Sequence, residues 1–146
     1  MSAAQRLSDH EIASAVRGIF TKAEFLNHLG ITFDGAGYGW CKGSIIVKPE
    51  HRQQHGYIHA GVISTLADHV AGGAARSVVS LAQDVLTVEF KINFLSPAQG
   101  DKLTCEGKIL KAGNQLLVAE SEVYSHVADR KLVAKCTETL IVLNPR

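Results

Sequence analysis

A long helical pattern of small and apolar residues constrains the fold more than any other feature of the chain. From about residue 60 to residue 80, apolar side chains recur at spacings of three and four, the period of an α-helix. Most other positions hold Ala, Gly or Val, so the helix is apolar around its circumference and has to be buried on most sides. Because Gly72 and Gly73 each cost about 1 kcal/mol relative to Ala inside a helix, we expect another backbone to approach closely there.

A change of period predicts the β-strands that surround this helix. From Leu86 to Phe94, apolar and polar residues alternate, which predicts a strand with one buried apolar face and with Thr87 on the polar face. Further strands are predicted over 103–110, 116–124 and 132–143. The connections between these four strands are too short for parallel crossovers, so we predict an antiparallel meander in sequence order.

The N-terminal part of the chain adds short helices and a hairpin. The capping-box patterns Ser8–Glu11 and Thr21–Glu24 each predict the start of a short helix. The Gly-rich stretch 31–48 predicts a bent strand or hairpin. The sequence therefore predicts an α+β fold in which a curved antiparallel sheet wraps around a long central helix. We expect one domain over residues 1–146, with a helical N-terminal segment over residues 1–24.

Charge and composition exclude several classes of partner. The net charge is +1, which indicates no broad attraction to nucleic acid or to an anionic membrane. No apolar run is long enough for a membrane span, and the polar N-terminus has no signal-peptide core. The three cysteines, Cys41, Cys105 and Cys136, lack CxxC spacing and are typical of buried thiols in a reducing compartment. We expect a cytoplasmic protein.

The central helix carries one acid, Asp68, in a stretch otherwise nearly free of charge. A carboxylate in such surroundings is costly unless it has a task, although a solvent-facing Asp68 or one paired with Arg76 or His69 would need no function. At the start of the helix, His59 is followed by Ala60 and Gly61, which have no bulky side chains. The unpaired N–H groups of such a helix start can polarise a carbonyl oxygen.

The distance between these two features predicts a dimer. Gly61 and Asp68 are seven residues apart, so they lie on nearly the same helix face but about 10 Å apart along the axis. The short Asp68 side chain cannot readily reach an acyl carbon whose oxygen is bound at the helix start. If two central helices lie side by side and antiparallel across a two-fold axis, Asp68 of one chain comes close to the helix start of the other.

Other polar patterns in this region give weaker predictions. His51, His55 and His59 are spaced by four, which on a helix would form a metal-binding face, but Gly56 argues against a helix there. Ser64 lacks the Gly-x-Ser-x-Gly turn of a nucleophile elbow. We therefore predict neither a metal site nor a serine triad.

Two segments carry a resemblance to a known family. The first runs from Gln53 through His59-Ala60-Gly61 to Thr65-Leu66-Ala67-Asp68, and the second is the strand and turn from Leu86 to Ala98. Together they resemble the hotdog-fold acyl-CoA thioesterases of the phenylacetate-pathway (PaaI-like) type, over roughly residues 25–143. The resemblance implies a hotdog fold and hydrolysis of acyl-CoA to a free carboxylic acid and CoA.

The resemblance also implies roles for individual residues. Asp68 matches the family's catalytic carboxylate, which activates water or attacks the thioester itself. Ala60 stands where family members usually have Gly, whose N–H polarises the thioester carbonyl, and Gly61 follows it at the helix start. The N–H group is retained in Ala, while its Cβ crowds the approach to the helix.

Three further residues are implied to assist. His59 matches a motif histidine near the thioester sulfur or oxygen. Gln53 stands where Asn is more usual, and Thr87 matches a hydroxyl position that can hold the attacking water. The resemblance implies no metal or cofactor, since thioester hydrolysis needs only water, a carboxylate and a polarised carbonyl.

The implied assembly is a homodimer with two sites across its interface, and a tetramer of two such dimers is left open. Two other functions also remain open. One is a non-catalytic protein that binds acyl-CoA in the same pocket, which the intact Asp68 disfavours. The other is a hotdog hydratase or dehydratase of enoyl thioesters, which would need a different pairing of His and acid.

Overall fold

The computed structural model describes residues 7–145, and in it a six-stranded antiparallel sheet curves around one long helix. Residues 1–6 and 146, which the predicted domain includes, lie outside the described residues. Within 7–145, no helix is long and apolar enough to cross a membrane. The elements in chain order are α1 (Asp9–Thr21), α2 (Glu24–Leu29), β1 (Ile31–Gly37), β2 (Trp40–Ile46), a 3₁₀ turn (Pro49–His51), α3 (Ala60–Arg76), β3 (Asp84–Phe94), β4 (Lys102–Ala112), β5 (Leu116–His126) and β6 (Arg130–Leu143).

The N-terminal helices start only partly as predicted. Ser8 caps α1 in a complete capping box with Glu11, as predicted. The second capping box is wrong, because α1 continues to Thr21 and α2 begins at Glu24 after Ala23, which makes no side-chain cap. β1 and β2 form the predicted hairpin, with Gly37 paired to Trp40.

Helix α3 is the buried centre of the fold, as its apolar circumference predicts. It begins at Ala60 and ends at Arg76, four residues before the predicted end. Among its core residues, Leu66, Ala67, Val70 and Ala74 are completely buried. The helix ends early because Ser77 turns the chain: its hydroxyl donates to Ala74 O at 2.6 Å and accepts the Gly39 N–H of the β1–β2 turn at 2.8 Å.

The expected close approach of a backbone to Gly72 and Gly73 is wrong. A Cβ on Gly73 would lie 2.6 Å from Cys41 Sγ, which is a side-chain contact, and the nearest atom to a Cβ on Gly72 is Leu140 Cδ2 at 4.0 Å. Helix and sheet backbones instead meet at Gly107 of β4, where a Cβ would lie 2.8 Å from Val70 O. The glycine that lets the helix and sheet backbones approach is therefore in the sheet, while Gly73 leaves room for the Cys41 side chain.

Replacing Gly107 by Ala is expected to destabilise the fold by roughly 1–3 kcal/mol, because the added methyl group collides with the α3 backbone. Urea unfolding would measure the effect. The matched control is Gly18→Ala in α1, where a Cβ has no neighbour within 4 Å and the better helix former adds up to about 1 kcal/mol of stability. Equal stability of the two variants would contradict this packing.

The predicted meander is wrong in one strand. The sheet order is β1-β2-β4-β5-β6-β3, so β4, β5 and β6 form a meander while β3 pairs with β6 at the far edge. The seven residues 95–101 between β3 and β4 can span about 23 Å when extended. Crossing from β3 past β6 and β5 to β4 requires only about 14 Å at the usual strand spacing. The connection is thus long enough to pass over two strands.

Strand β3 also departs from simple alternation, because a bulge lies between Thr87 and Glu89. Before the bulge, Leu86 pairs with Ile141 on the outer face; after it, Phe90 pairs with Glu138 on the inner face. A one-residue shift of this kind moves side chains to the opposite face. The prediction that Thr87 lies on the polar face is therefore wrong: Thr87 points inward to the helix and reaches Asp68.

The prediction that the apolar residues of β3 form one buried face is also wrong within a single chain. Leu86, Val88, Phe90 and Phe94 are 58, 56, 42 and 48% exposed. Phe90 and Phe94 lie on the inner face but remain exposed, because no element within residues 7–145 covers them at this edge of the sheet.

The cysteines are free and buried, as predicted. Burial raises the pKa of the Cys41 and Cys136 thiols to about 12 and that of Cys105 well above its usual value. All three side chains belong to the packed interior.

Candidate active site

Asp68 lies where α3 faces the inner side of β3. Its Oδ1 accepts a hydrogen bond of 3.0 Å from the Thr87 hydroxyl. Arg76, one of the alternative partners, instead donates to the carbonyl oxygens of Ser80 at 3.2 Å and Leu81 at 3.3 Å. The carboxylate of Asp68 is thus held by the sheet and does not face solvent freely.

A second carboxyl group, Glu138 of β6, meets Thr87 from the other side. Its Oε1 lies 2.9 Å from Thr87 Oγ1, and the residue is completely buried. Burial, followed by the negative charge of Asp68, raises the pKa of Glu138 to about 8. Sequence reasoning missed Glu138, although β6 gives a signal: alternate residues of this strand point inward, and Glu138 interrupts the otherwise apolar set Ala134, Cys136 and Leu140.

A cavity of about 240 Å³ opens beside Asp68 and Thr87. Its walls are mostly apolar and come from α1, α3, β3 and β6, with Ile19, His69, Gly72, Val85, Leu86 and Leu140 among them. His69 packs edge-on against Phe20 with the ring centroids 4.6 Å apart, and its Nε2 is buried without a hydrogen-bond partner in the described chain. Burial lowers the pKa of His69, which favours the neutral ring.

Among the described residues, the start of α3 has one N–H group without a hydrogen-bond partner. His59 is the N-cap residue, and its Nδ1 accepts the Gly61 N–H at 2.8 Å. Because Nδ1 accepts, the neutral ring carries its proton on Nε2. Within residues 7–145 the Ala60 N–H has no partner, so Ala60 rather than Gly61 is the donor available at this exposed end.

Gln53 lies in the loop that leads to α3. Its backbone N–H donates to Tyr57 O at 2.8 Å, and its side-chain oxygen accepts from the His55 N–H. In the described part of the chain, no hydrogen bond joins Gln53 to His59 or Asp68.

The structure brings together only part of the predicted site. Asp68 and Thr87 are in contact, and so are His59 and Gly61. The free N–H of Ala60 is eight residues before Asp68, which corresponds to about 12 Å along the helix. Among the described residues, no group of three or more His, Cys, Asp or Glu side chains could hold a metal ion.

Comparison with known proteins assigns the chain to a family. Residues 55–128, half of the chain, match the thioesterase superfamily, and this range includes α3, Asp68 and Thr87. A candidate esterase of Saccharolobus solfataricus is 34% identical over 133 residues, covering 90% of this chain and 93% of that protein. The chain belongs to the thioesterase superfamily. The resemblance seen in the sequence and the expected class of thioester hydrolase are thereby confirmed.

Solved structures agree with this assignment. A thioesterase family protein from Silicibacter pomeroyi is 34% identical and superposes with a TM-score of 0.89, over 91% of this chain and 98% of that one. The PaaI protein from the phenylacetic acid degradation operon of Escherichia coli is 21% identical with a TM-score of 0.84, over 94% of this chain and 96% of that one, and so shares the fold. The predicted hotdog fold is confirmed. A medium/long-chain acyl-CoA thioesterase of Salmonella typhimurium is 28% identical over 98 residues, 58% of this chain and 62% of that protein.

Proposed function

We propose that this protein hydrolyses acyl-CoA thioesters to a free carboxylic acid and CoA, with Asp68 as the base or nucleophile. The observation that carries the proposal is the Asp68 carboxylate, held by Thr87 beside a mostly apolar cavity. A carboxylate fixed next to an apolar pocket suits attack on the carbonyl of a bound acyl group. The similarity to an acyl-CoA thioesterase of Salmonella typhimurium supports the choice of CoA thioester.

The complementary half of the site is proposed to come from a second copy of the chain. The Ala60 N–H at the start of α3 suits an oxyanion that develops on the thioester oxygen. Because it lies about 12 Å along the helix from Asp68, the two groups of one chain cannot act on the same carbonyl. In a two-fold dimer with antiparallel α3 helices, each Asp68 would face the partner's helix start.

The exposed edge of β3 supports this dimer. Phe90 and Phe94 lie on the inner face of an edge strand and are nearly half exposed. Open edges with apolar residues favour pairing with another chain. If two β3 strands pair across the two-fold axis, the partner chain would cover these inner-face side chains.

A tetramer stays a prediction. Its support is an apolar row on the outer face of the sheet, where Leu86, Ile141 and Leu116 are directly paired neighbours on β3, β6 and β5. All three are exposed in the single chain, which suits contact between the outer faces of two dimers.

The remaining site residues are proposed to assist the reaction. His59 Nδ1 accepts the Gly61 N–H at the helix start. The Nε2–H is therefore the group that can donate to the thioester oxygen or to the departing sulfur. Gln53 keeps its amide NH₂ for the acyl-CoA, because its oxygen is used within the loop. Thr87 orients Asp68 and retains one lone pair for the attacking water.

Release of free thiol from acyl-CoA tests the proposed activity. With short, medium, long and aromatic acyl-CoAs and a thiol-reactive dye, we expect turnover on at least one class, with kcat/KM of about 10⁴ M⁻¹s⁻¹ or more. Binding without thiol release across the whole panel would favour the acyl-CoA-binding protein. Hydration of an enoyl-CoA without hydrolysis would favour the hydratase.

A further inference from the structure

We propose that Glu138 is a positioning residue for Asp68. Its protonated carboxyl group donates a hydrogen bond to the Thr87 hydroxyl, which in turn donates one to the Asp68 carboxylate. The inference rests on the proposed role of Asp68 in thioester hydrolysis. It adds to the site a residue outside the 55–128 range that matches the thioesterase superfamily. Its consequence is a pH limit on turnover that depends on a group without contact to the substrate.

The Thr87 hydroxyl makes two short contacts with carboxyl oxygens but has only one hydrogen. Thr87 Oγ1 lies 3.0 Å from Asp68 Oδ1 and 2.9 Å from Glu138 Oε1. A hydroxyl has one hydrogen, so it can make a near-linear, full-strength hydrogen bond to only one of these oxygens. If both carboxyl groups were ionised, the second short contact would place lone pairs against each other. One of the two carboxyl groups must therefore carry a proton and donate it to Thr87.

Burial decides which carboxyl group carries that proton. Glu138 is completely buried, whereas Asp68 lines an open cavity and is only partly buried. An ionised carboxylate without a partner is far more costly in the interior than at a cavity wall. The hydrogen-bond order is then Glu138 to Thr87 to Asp68, with Asp68 charged.

Among the described residues, no positive charge faces Glu138 from the elements around it. The titratable neighbours are Asp68 on α3, Glu89 on β3 and Cys136 on β6. The neighbouring position on β5 is Ala119, which does not titrate. Burial and the charge of Asp68 raise the pKa of Glu138 to about 8, in agreement with the proton count.

The protonated Glu138 fixes the orientation of Asp68. Thr87 donates its hydrogen to Oδ1 only while its own oxygen accepts from Glu138, so the Asp68 carboxylate is held at Oδ1. When the pH rises through the pKa of Glu138, its carboxyl group loses the proton that it donates to Thr87. A second negative charge then forms beside Asp68. Asp68 is then repelled and loses its orientation.

Glu138→Gln separates this role from a structural one. The amide still donates to Thr87 but cannot ionise, so we expect kcat at pH 7 to fall by about three- to tenfold with KM little changed. The wild-type kcat should fall as pH rises above about 8, by about tenfold per pH unit, while kcat of the variant should stay level to pH 9.5 after subtraction of spontaneous hydrolysis.

The matched control is Glu89→Gln, which removes a nearby negative charge whose contact is with Thr139 on the outer face and leaves the two hydrogen bonds of Thr87 intact. It should keep the wild-type activity at pH 7 and the wild-type fall above pH 8. A Glu138→Gln profile that falls like the wild type, or a wild-type kcat that is level from pH 7 to 9.5, would overturn the inference.

Infrared difference spectroscopy tests the proton without turnover. The wild-type spectrum at pH 7 minus that at pH 9.5 should contain the carbonyl stretch of a buried protonated carboxylic acid, and this band should be absent from Glu138→Gln. If the band is present but no acyl-CoA is hydrolysed, the proposed function fails and the proton placement stands. If the band is absent, the proton placement fails whatever the activity is.

Discussion

Replacement of Asp68 by Asn is expected to lower kcat/KM for acyl-CoA hydrolysis by about 10³-fold or more. The amide has the shape of the carboxylate and can still accept the Thr87 hydrogen bond through its oxygen. It cannot take a proton from water, and it is a poor nucleophile toward a thioester. The loss should therefore appear in kcat, measured by thiol release, while the melting temperature and the oligomeric state change little.

Asp129→Asn is the matched control for this variant. Asp129 is exposed in the turn between β5 and β6, and its replacement changes the net charge of the chain by the same amount. Thiol release by this control should equal that of the wild type. A value of kcat/KM for Asp68→Asn within about tenfold of the wild type would remove Asp68 from the chemistry.

The sequence predicts the fold correctly where the burial of an element follows from its own residues alone. Helix α3 is apolar around its circumference, so its position at the centre does not depend on the order of the strands. Its first residue was also predictable, because His59 and two small residues form a recognisable start. The strand order was not, because β3 reaches the far edge of the sheet through a loop whose length also fits a meander.

The site was predictable in its main groups but not in their connection. Asp68 is conspicuous as an acid in an apolar helix, and its contact with Thr87 depends on a bulge that alternation alone cannot reveal. Strict alternation of side chains along β3 predicts Thr87 on the wrong face for this reason. Glu138 was open to prediction, since it shares the inward positions of β6 with Ala134, Cys136 and Leu140.

The apolar face of β3, which the sequence predicts to be buried, is exposed in the single chain. The apolar residues Phe90 and Phe94 lie on the inner face of the sheet, yet the chain itself leaves them nearly half exposed. Selection for an apolar pattern reflects burial in the functional state, whichever chain provides the cover. The mismatch between the pattern and the single chain therefore supports the proposed dimer, separately from the distance between Ala60 and Asp68.

Mixed dimers of two inactive variants are expected to regain activity. Ala60→Pro removes the free N–H at the first residue of α3, a position where helices accept Pro. His59 is already extended, with φ −63° and ψ 137°, as the residue before Pro requires. The loss of one oxyanion donor should reduce kcat by about 10²–10³-fold. Dimers of Ala60→Pro alone and of Asp68→Asn alone should both be nearly inactive.

A heterodimer of these two variants, isolated through two different affinity tags, discriminates between the possible sites. If each site combines Asp68 of one chain with Ala60 of the other, one site carries both substitutions and the other carries neither. The heterodimer should then have about half the wild-type activity. If each site belonged to one chain, both sites would carry one defect and the heterodimer would stay inactive.

The reverse heterodimer contains the same two substitutions and should behave in the opposite way. Here one chain carries both Ala60→Pro and Asp68→Asn, and its partner is wild type. Sites shared between chains would each receive one defective half, so this heterodimer should be nearly inactive, whereas sites within one chain would leave about half the activity. Since the two heterodimers have the same composition, differences in folding or in dimer strength cannot account for opposite outcomes, and only the division of each site between the chains can.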